Sequence, residues 1–236
     1  VLKAVLFDLD GTLLRVDTSE FTVEYLKEMA LAVAPAVDPV FFNTVLLAST
    51  SMMIGNRDPG VTNEEVFWED FRKRMGNGFD NALPFFEEFY ASKFPELSRV
   101  VRPGAGTRPV VQAALDRGLR IVLATQPVFP IAAVRQRMAW AGVEDLPWEF
   151  VTSYEEMHFC KPQPEYYLEI AQRLGVEPGE CLMVGNDVQE DLVAASVGMS
   201  VCLVTDCLIN PQNVDYQADW SGPLSHLAEW LEGSHL

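Results

Sequence analysis

The sequence predicts an α/β fold: a parallel β-sheet with helices on both faces and an all-helical insertion between its first two strands. Three observations carry this reading. Five short runs, LKAVLFDL (2–9), LRIVLAT (119–125), WEFVTS (148–153), CLMVG (181–185) and SVCLVT (200–205), are mostly rich in Val, Leu and Ile without polar alternation. Strands covered on both faces read this way. Helical patterns lie between these runs from residue 107 onward, and alternation of strand and helix is the pattern of a parallel sheet. Residues 15–98 break the rhythm with helical stretches and no convincing strand.

Taken in order, the first run ends on two carboxylates, Asp8 and Asp10, followed by Gly11 and Thr12. The insertion then supplies SEFTVEYLKEMALAVA, NEEVFWEDFRKRM and ALPFFEEFYASKF, and VRPGAG (101–106) marks the return. The expected division is a core of residues 1–14 and 99–236 and a separate helical domain of residues 15–98. The aromatic residues Phe67, Trp68, Phe71, Phe85, Phe86, Phe89 and Tyr90 mostly fall at helical spacing and read as a packing face. VFFNTVLLASTSMMIG (40–55) is the most apolar stretch, but it is too short and too polar to span a bilayer. In the core, TRPVVQAALDRG precedes the second strand, PIAAVRQRMAWAG follows it, PEYYLEIAQRLG precedes the fourth and QEDLVAASVG follows that. Gly118, Gly142, Gly175 and Gly198 fall where these helices should stop.

Composition narrows the function. The 236 residues carry 34 acidic against 17 basic side chains, a net charge of -17. That argues against a nucleic-acid or anionic-membrane partner, both of which call for Lys/Arg patches, and suits a metal cation. Cys160, Cys181, Cys202 and Cys207 form no CxxC pair and read as reduced thiols. With no visible secretory signal, the expected location is cytoplasmic.

Ligands of an open parallel sheet sit beyond the carboxyl ends of its strands. Those ends carry Asp8, Asp10 and Thr12, then Thr125 and Gln126, then Asn186, Asp187 and Asp191, with Lys161 in the loop FCKPQPE. Carboxylates crowded at one edge repel unless a cation holds them. Mg²⁺ accepts one or two carboxylates, a carbonyl and a phosphate oxygen while keeping waters. Lysine and threonine beside it offer charge and hydrogen bonds to phosphate. Of two carboxylates two residues apart, one can attack while the other handles the proton.

These motifs resemble those of the haloacid dehalogenase (HAD) superfamily, most of whose members are Mg²⁺-dependent phosphohydrolases. DLDGT matches the first motif, LATQ at Thr125 the second, Lys161-Pro162 the third and GNDVQED the fourth, in order over roughly 1–14 and 100–206. The resemblance implies a Rossmann-like core with an inserted C1-type cap. It implies that Asp8 is the nucleophile, forming an aspartyl-phosphate, and also a metal ligand. Asp10 would protonate the leaving group and then activate water, its backbone carbonyl binding Mg²⁺. Thr125 and Lys161 would hold the phosphoryl group, Asp187 would bind metal, and Asp191 would support the metal site or Lys161.

Two departures from the family pattern stand out. Gln126 occupies a position that is often Asn, which places it beside phosphate or substrate with an altered contact. The fourth motif can be read with Asn186 or Asp187 as its first member; Asp187 is favoured because a carboxylate binds Mg²⁺ better than an amide. The expected activity is hydrolysis of a small soluble phosphomonoester, with a phosphomutase or a non-catalytic phospholigand-binding protein as alternatives. A dehalogenase fits less well, because that branch does not need the second acid. The sequence does not choose between monomer and homodimer.

Overall fold

The computed structural model describes residues 1–102, 104 and 106–233. Six parallel strands form one sheet: β1 (Ala4–Phe7), β2 (Arg120–Leu123), β3 (Phe150–Val151), β4 (Cys181–Gly185), β5 (Ser200–Val204) and β6 (Trp220–Gly222), in the order β3-β2-β1-β4-β5-β6. The order reverses at β1, which has β2 on one side and β4 on the other. Phe7 is in register with both Leu123 and Val184. The residues that leave β1, β2 and β4 therefore emerge at one level, at the crevice where such sheets bind ligands.

Side chains alternate between the faces of the sheet. Val5, Phe7, Ile121, Leu123, Leu182 and Val184 belong to one apolar cluster, and Ala4, Leu6, Val122, Cys181 and Met183 to another. The first face is covered by α5 (Thr107–Asp116), α6 (Ile131–Ala141) and α8 (Leu224–Gly233). The second is covered by α7 (Pro164–Leu174) and a 3₁₀ segment, Asp191–Val197. Helices α6 and α7 stop at Gly142 and Gly175.

Between β1 and β2 lie α1 (Thr18–Val33), α2 (Pro39–Gly55), α3 (Asn63–Met75) and α4 (Phe79–Glu88), followed by short helical turns to Val100. Their starts are encoded locally. Asp17 caps α1 by accepting from the amides of Ser19 and Glu20, Asp38 caps α2 ahead of Pro39, and Thr62 with Glu65 forms a capping box on α3. Phe21, Phe42, Phe67, Phe71, Phe86 and Phe94 are buried in the same apolar cluster that covers the first sheet face. The insertion is thus packed continuously onto the sheet.

Several expectations need adjusting. QEDLVAASVG folds as a seven-residue 3₁₀ segment, too short to recover the nucleation cost of an α-helix. The WEFVTS run yields only the two-residue edge strand β3. Strand β6 and helix α8 lie beyond the last strand that the sequence pattern predicts. Among the described residues the four cysteines are free, Cys160, Cys181 and Cys202 being buried. No helix there is long and apolar enough to cross a membrane.

Candidate active site

The site is built from four loops at the carboxyl edge of the sheet. Asp8 continues β1, its amide donating to the Val184 carbonyl at 2.9 Å, while Ala124 donates to the Phe7 carbonyl at 2.7 Å. The chain then closes a tight loop in which the amides of Thr12 and Leu14 both donate to the Leu9 carbonyl. Gly11 sits in this loop at φ 84°, and a Cβ there would lie 2.3 Å from Asn186 Nδ2. Glycine is required on both counts.

Asp8 is held by Lys161, and the single hydroxyl proton of Thr12 is shared between Asp8 Oδ2 and Asn186 Oδ1. Lys161 Nζ donates to Asp8 Oδ1 at 2.9 Å, and Thr12 Oγ1 lies 3.0 Å from Asp8 Oδ2. Lys161 also donates to Asp191 Oδ1 at 2.6 Å, and its side chain is 1% exposed. Asp191 Oδ2 in turn accepts from the amides of Asn186 and Asp187, both at 2.9 Å. A Cβ on Gly185 would lie 2.1 Å from this carboxylate, so the approach of Asp191 to β4 depends on glycine.

Asn186 and Asp187 are used differently. Asn186 Oδ1 accepts from Thr12 Oγ1 at 2.9 Å and its Nδ2 donates to the Cys207 carbonyl at 2.6 Å, so its amide ties three loops together. Asp187 Oδ1 accepts from the amides of Gln189 and Glu190 at 2.7 and 3.0 Å, leaving Oδ2 as its second donor oxygen.

Thr125 is buried at the end of β2, its carbonyl accepting from Thr152 Oγ1 and Tyr166 Oη. Gln126 is directed elsewhere than the sequence suggested. Its amide brackets the backbone of Lys161, donating to the carbonyl and accepting from the amide at 3.0 Å each, and it donates to Glu190 Oε1 at 3.2 Å. This fixes the loop that delivers Lys161. His158 pairs with Glu169, and Arg15 is exposed.

One member of the site escaped the sequence reading. Arg137, from α6, is 1% exposed and donates through Nη1 to Asp10 Oδ2. Its guanidinium lies 4.5 Å from the ring centroid of Phe129. The signal was present: Ala133, Val134, Arg137 and Met138 form the buried stripe of α6, so Arg137 is a charge on an apolar face.

The electrostatics follow from burial. Among the described residues, Lys161 acts on Asp8, Asp10, Asp187, Glu190 and Asp191, and Arg137 acts on Asp10. Burial, offset in part by Lys161 and reinforced by Asp191, pushes Asp8 up to about 7. Burial also raises Asp10, against the pull of Arg137, and raises Asp187. Lys161 resists the downward effect of burial, because Asp191 and Asp8 hold it well above its usual value. Among the described residues no three His, Cys, Asp or Glu side chains converge in a metal-binding cluster. Asp8 and Asp187 are the carboxylates at this edge that could hold a metal ion, Asp187 keeping Oδ2 apart from the amides on its Oδ1. This all-oxygen set, short of positive charge, fits a hard divalent ion that keeps part of its water shell.

A sequence model of haloacid dehalogenase-like hydrolases matches residues 2–198, the span that contains every side chain of the site described above. The chain belongs to the haloacid dehalogenase-like hydrolase family. As a HAD-like hydrolase it is similar to YhcW of Bacillus subtilis, named as a candidate phosphatase, at 28% identity over 215 residues covering 91% of this chain and 86% of the relative. It is also similar to the N-acetylmuramic acid 6-phosphate phosphatase of Pseudomonas aeruginosa, at 25% identity covering 93% and 88%. Its fold matches the crystal structure of the defluorinating L-2-haloacid dehalogenase Rha0230 with a TM-score of 0.60 and 20% identity, covering 98% and 96%. HAD-like folds thus accompany more than one chemistry, and the choice rests on the side chains.

Proposed function

We propose that the chain is a Mg²⁺-dependent phosphohydrolase that cleaves a small soluble phosphomonoester through an aspartyl-phosphate on Asp8. The observation that carries this reading is Lys161, buried between Asp8 and Asp191, which gives the nucleophile a fixed cationic neighbour. Both named relatives above are phosphatases by name, which favours phosphoryl over halide chemistry. The presence of Asp10, a second acid that dehalogenation does not need, points the same way.

In the first step an oxygen of Asp8 attacks phosphorus while the bond to the leaving-group oxygen breaks, and Asp10 delivers its proton to that oxygen. In the second step Asp10 takes a proton from water as the water oxygen attacks phosphorus. The bond to Asp8 breaks and inorganic phosphate leaves. Lys161 and Thr125 hold the non-bridging oxygens, so that catalysis is mostly positioning and charge stabilisation. Asp8, Asp187 and the Asp10 carbonyl would hold Mg²⁺, which when bound supplies neutralisation of the phosphoryl charge.

Residues 15–98 serve as the cap that selects the leaving group and excludes water. Between these helices and the loop after β2 is a cavity of about 210 Å³ lined by Tyr25, Leu46, Phe67, Phe86, Phe129 and Tyr154. The acidic balance fits a free metabolite in the cytoplasm rather than nucleic acid or a membrane surface. Turnover of p-nitrophenyl phosphate with Mg²⁺, lost in Asp8→Asn, is the expected result. Undiminished turnover in that variant would contradict the mechanism.

A further inference from the structure

We propose that Arg137 is a positioning residue for proton transfer: it anchors one oxygen of Asp10 so that the other faces the leaving group. The inference rests on the reading of Asp10 as the proton-transfer group.

The two oxygens of Asp10 are in different situations. Oδ2 is bound by Arg137 Nη1, whereas Oδ1 is buried without a hydrogen-bond partner. A buried acceptor left unpaired is costly and needs an explanation. The proton that Asp10 exchanges with the leaving-group oxygen and then with water supplies one, because Oδ1 is then the atom that carries it.

Arg137 is itself held on several sides. Its Nε donates to the Ala133 carbonyl at 3.3 Å, and its guanidinium is stacked at 4.5 Å from Phe129 and 5.9 Å from Phe21. The stack joins the loop after β2 to α1 of the insertion. Nη2 is likewise buried without a hydrogen-bond partner. A side chain with this role should not compete for the proton, and arginine does not, since it stays charged throughout the working range. Packing alone would be served better by an aliphatic residue on this stripe, because a buried ion pair gives little net stability over apolar side chains of similar volume. Arg137 is among the largest fully buried side chains of the chain.

The test uses phosphoryl esters of one shape and graded leaving-group basicity: p-nitrophenyl, phenyl and p-methoxyphenyl phosphate, each with Mg²⁺. The quantity read is kcat/KM, which reports transfer to Asp8. A nitrophenolate leaves with little protonation and the other two need it, and general acid catalysis is worth about 10²–10⁴-fold. In Arg137→Gln the expected loss is under about tenfold for the nitrophenyl ester and about 100-fold or more for the others. Arg137→Lys, which retains a cation on the stripe, should recover most of the difference, and Arg137→Met, which fills the same apolar stripe, carries the test with the same expected pattern of losses if the glutamine variant fails to fold. Equal losses across the three esters in the lysine and glutamine variants would mean a structural role only and would overturn the proposal. A wild type inactive on all three would contradict the phosphohydrolase reading itself, and the role of Arg137 with it; an active wild type separates the two.

Discussion

Lys161 Nζ donates to Asp8 Oδ1 at 2.9 Å, a contact between residues 153 positions apart, and holds Asp191 Oδ1 at 2.6 Å from its other side. One ammonium thus serves two buried carboxylates. Removing it strands both, and breaking a buried ion pair on one side costs about 3–5 kcal/mol. Lys161→Met is expected to unfold at markedly lower urea than the wild type at pH 8, with Asp191→Asn less affected because Asp8 still partners the lysine. Equal urea midpoints for wild type and Lys161→Met would show that the lysine is not structural.

The charge imbalance makes stability depend on pH in a defined direction. In the metal-free chain Asp8 is raised from 3.8 to about 7, chiefly by burial. Between those values the folded chain keeps a proton that the unfolded chain has released, so stability falls as pH rises from about 4 to about 7. Asp8→Asn carries no such penalty. In chelator at pH 8 the variant should melt above the wild type, and the two should converge toward pH 4. A wild type that melts higher at pH 8 would contradict the assignment.

Asn186 and Asp187 both fit the fourth motif, with Asp187 favoured as a carboxylate, and their partners in the structure differ. Asp187→Ala is expected to raise the Mg²⁺ concentration for half-maximal activity by about 10- to 100-fold. Asn186→Ala leaves the Cys207 carbonyl without its partner and removes one of the two acceptors within reach of Thr12 Oγ1, and should cost about 1–3 kcal/mol of stability with little change in Mg²⁺ dependence. Metal titrations and urea melts of the two variants check this; the opposite pattern would make Asn186 the metal residue.

Gly185 is the point where Asp191 meets the sheet. A methyl group in Gly185→Ala would collide with that carboxylate, 2.1 Å away, and must push it off the amides of Asn186 and Asp187. Overpacking of this kind costs about 1–3 kcal/mol. The expected variant is less stable and has lower kcat, since Lys161 loses its fixed partner. Wild-type values in both assays would show that Asp191 reaches Lys161 by another route.

The legibility of the chain follows burial. β1, β4 and β5 were readable because strands covered on both faces are written as unbroken apolar runs, and the acids that follow them mark the sheet edge. β6 was not, because WSG is a three-residue edge strand with a single large side chain. The family motif puts Gln126 beside phosphate or substrate, yet its amide brackets the backbone of Lys161, a contact across 35 residues that no local pattern encodes. Arg137 was hidden in RQR, which looks like a solvated helix face until the stripe of Ala133, Val134 and Met138 is traced through it.

The most direct test of the account is to quench the enzyme with acid during turnover of a phosphomonoester radiolabelled in its phosphate, then digest it. Label on the peptide containing Asp8, released by hydroxylamine as an acyl phosphate should be, and absent in Asp8→Asn, is the predicted result. Sustained turnover with no label on that peptide, and with activity retained in Asp8→Asn, would contradict it.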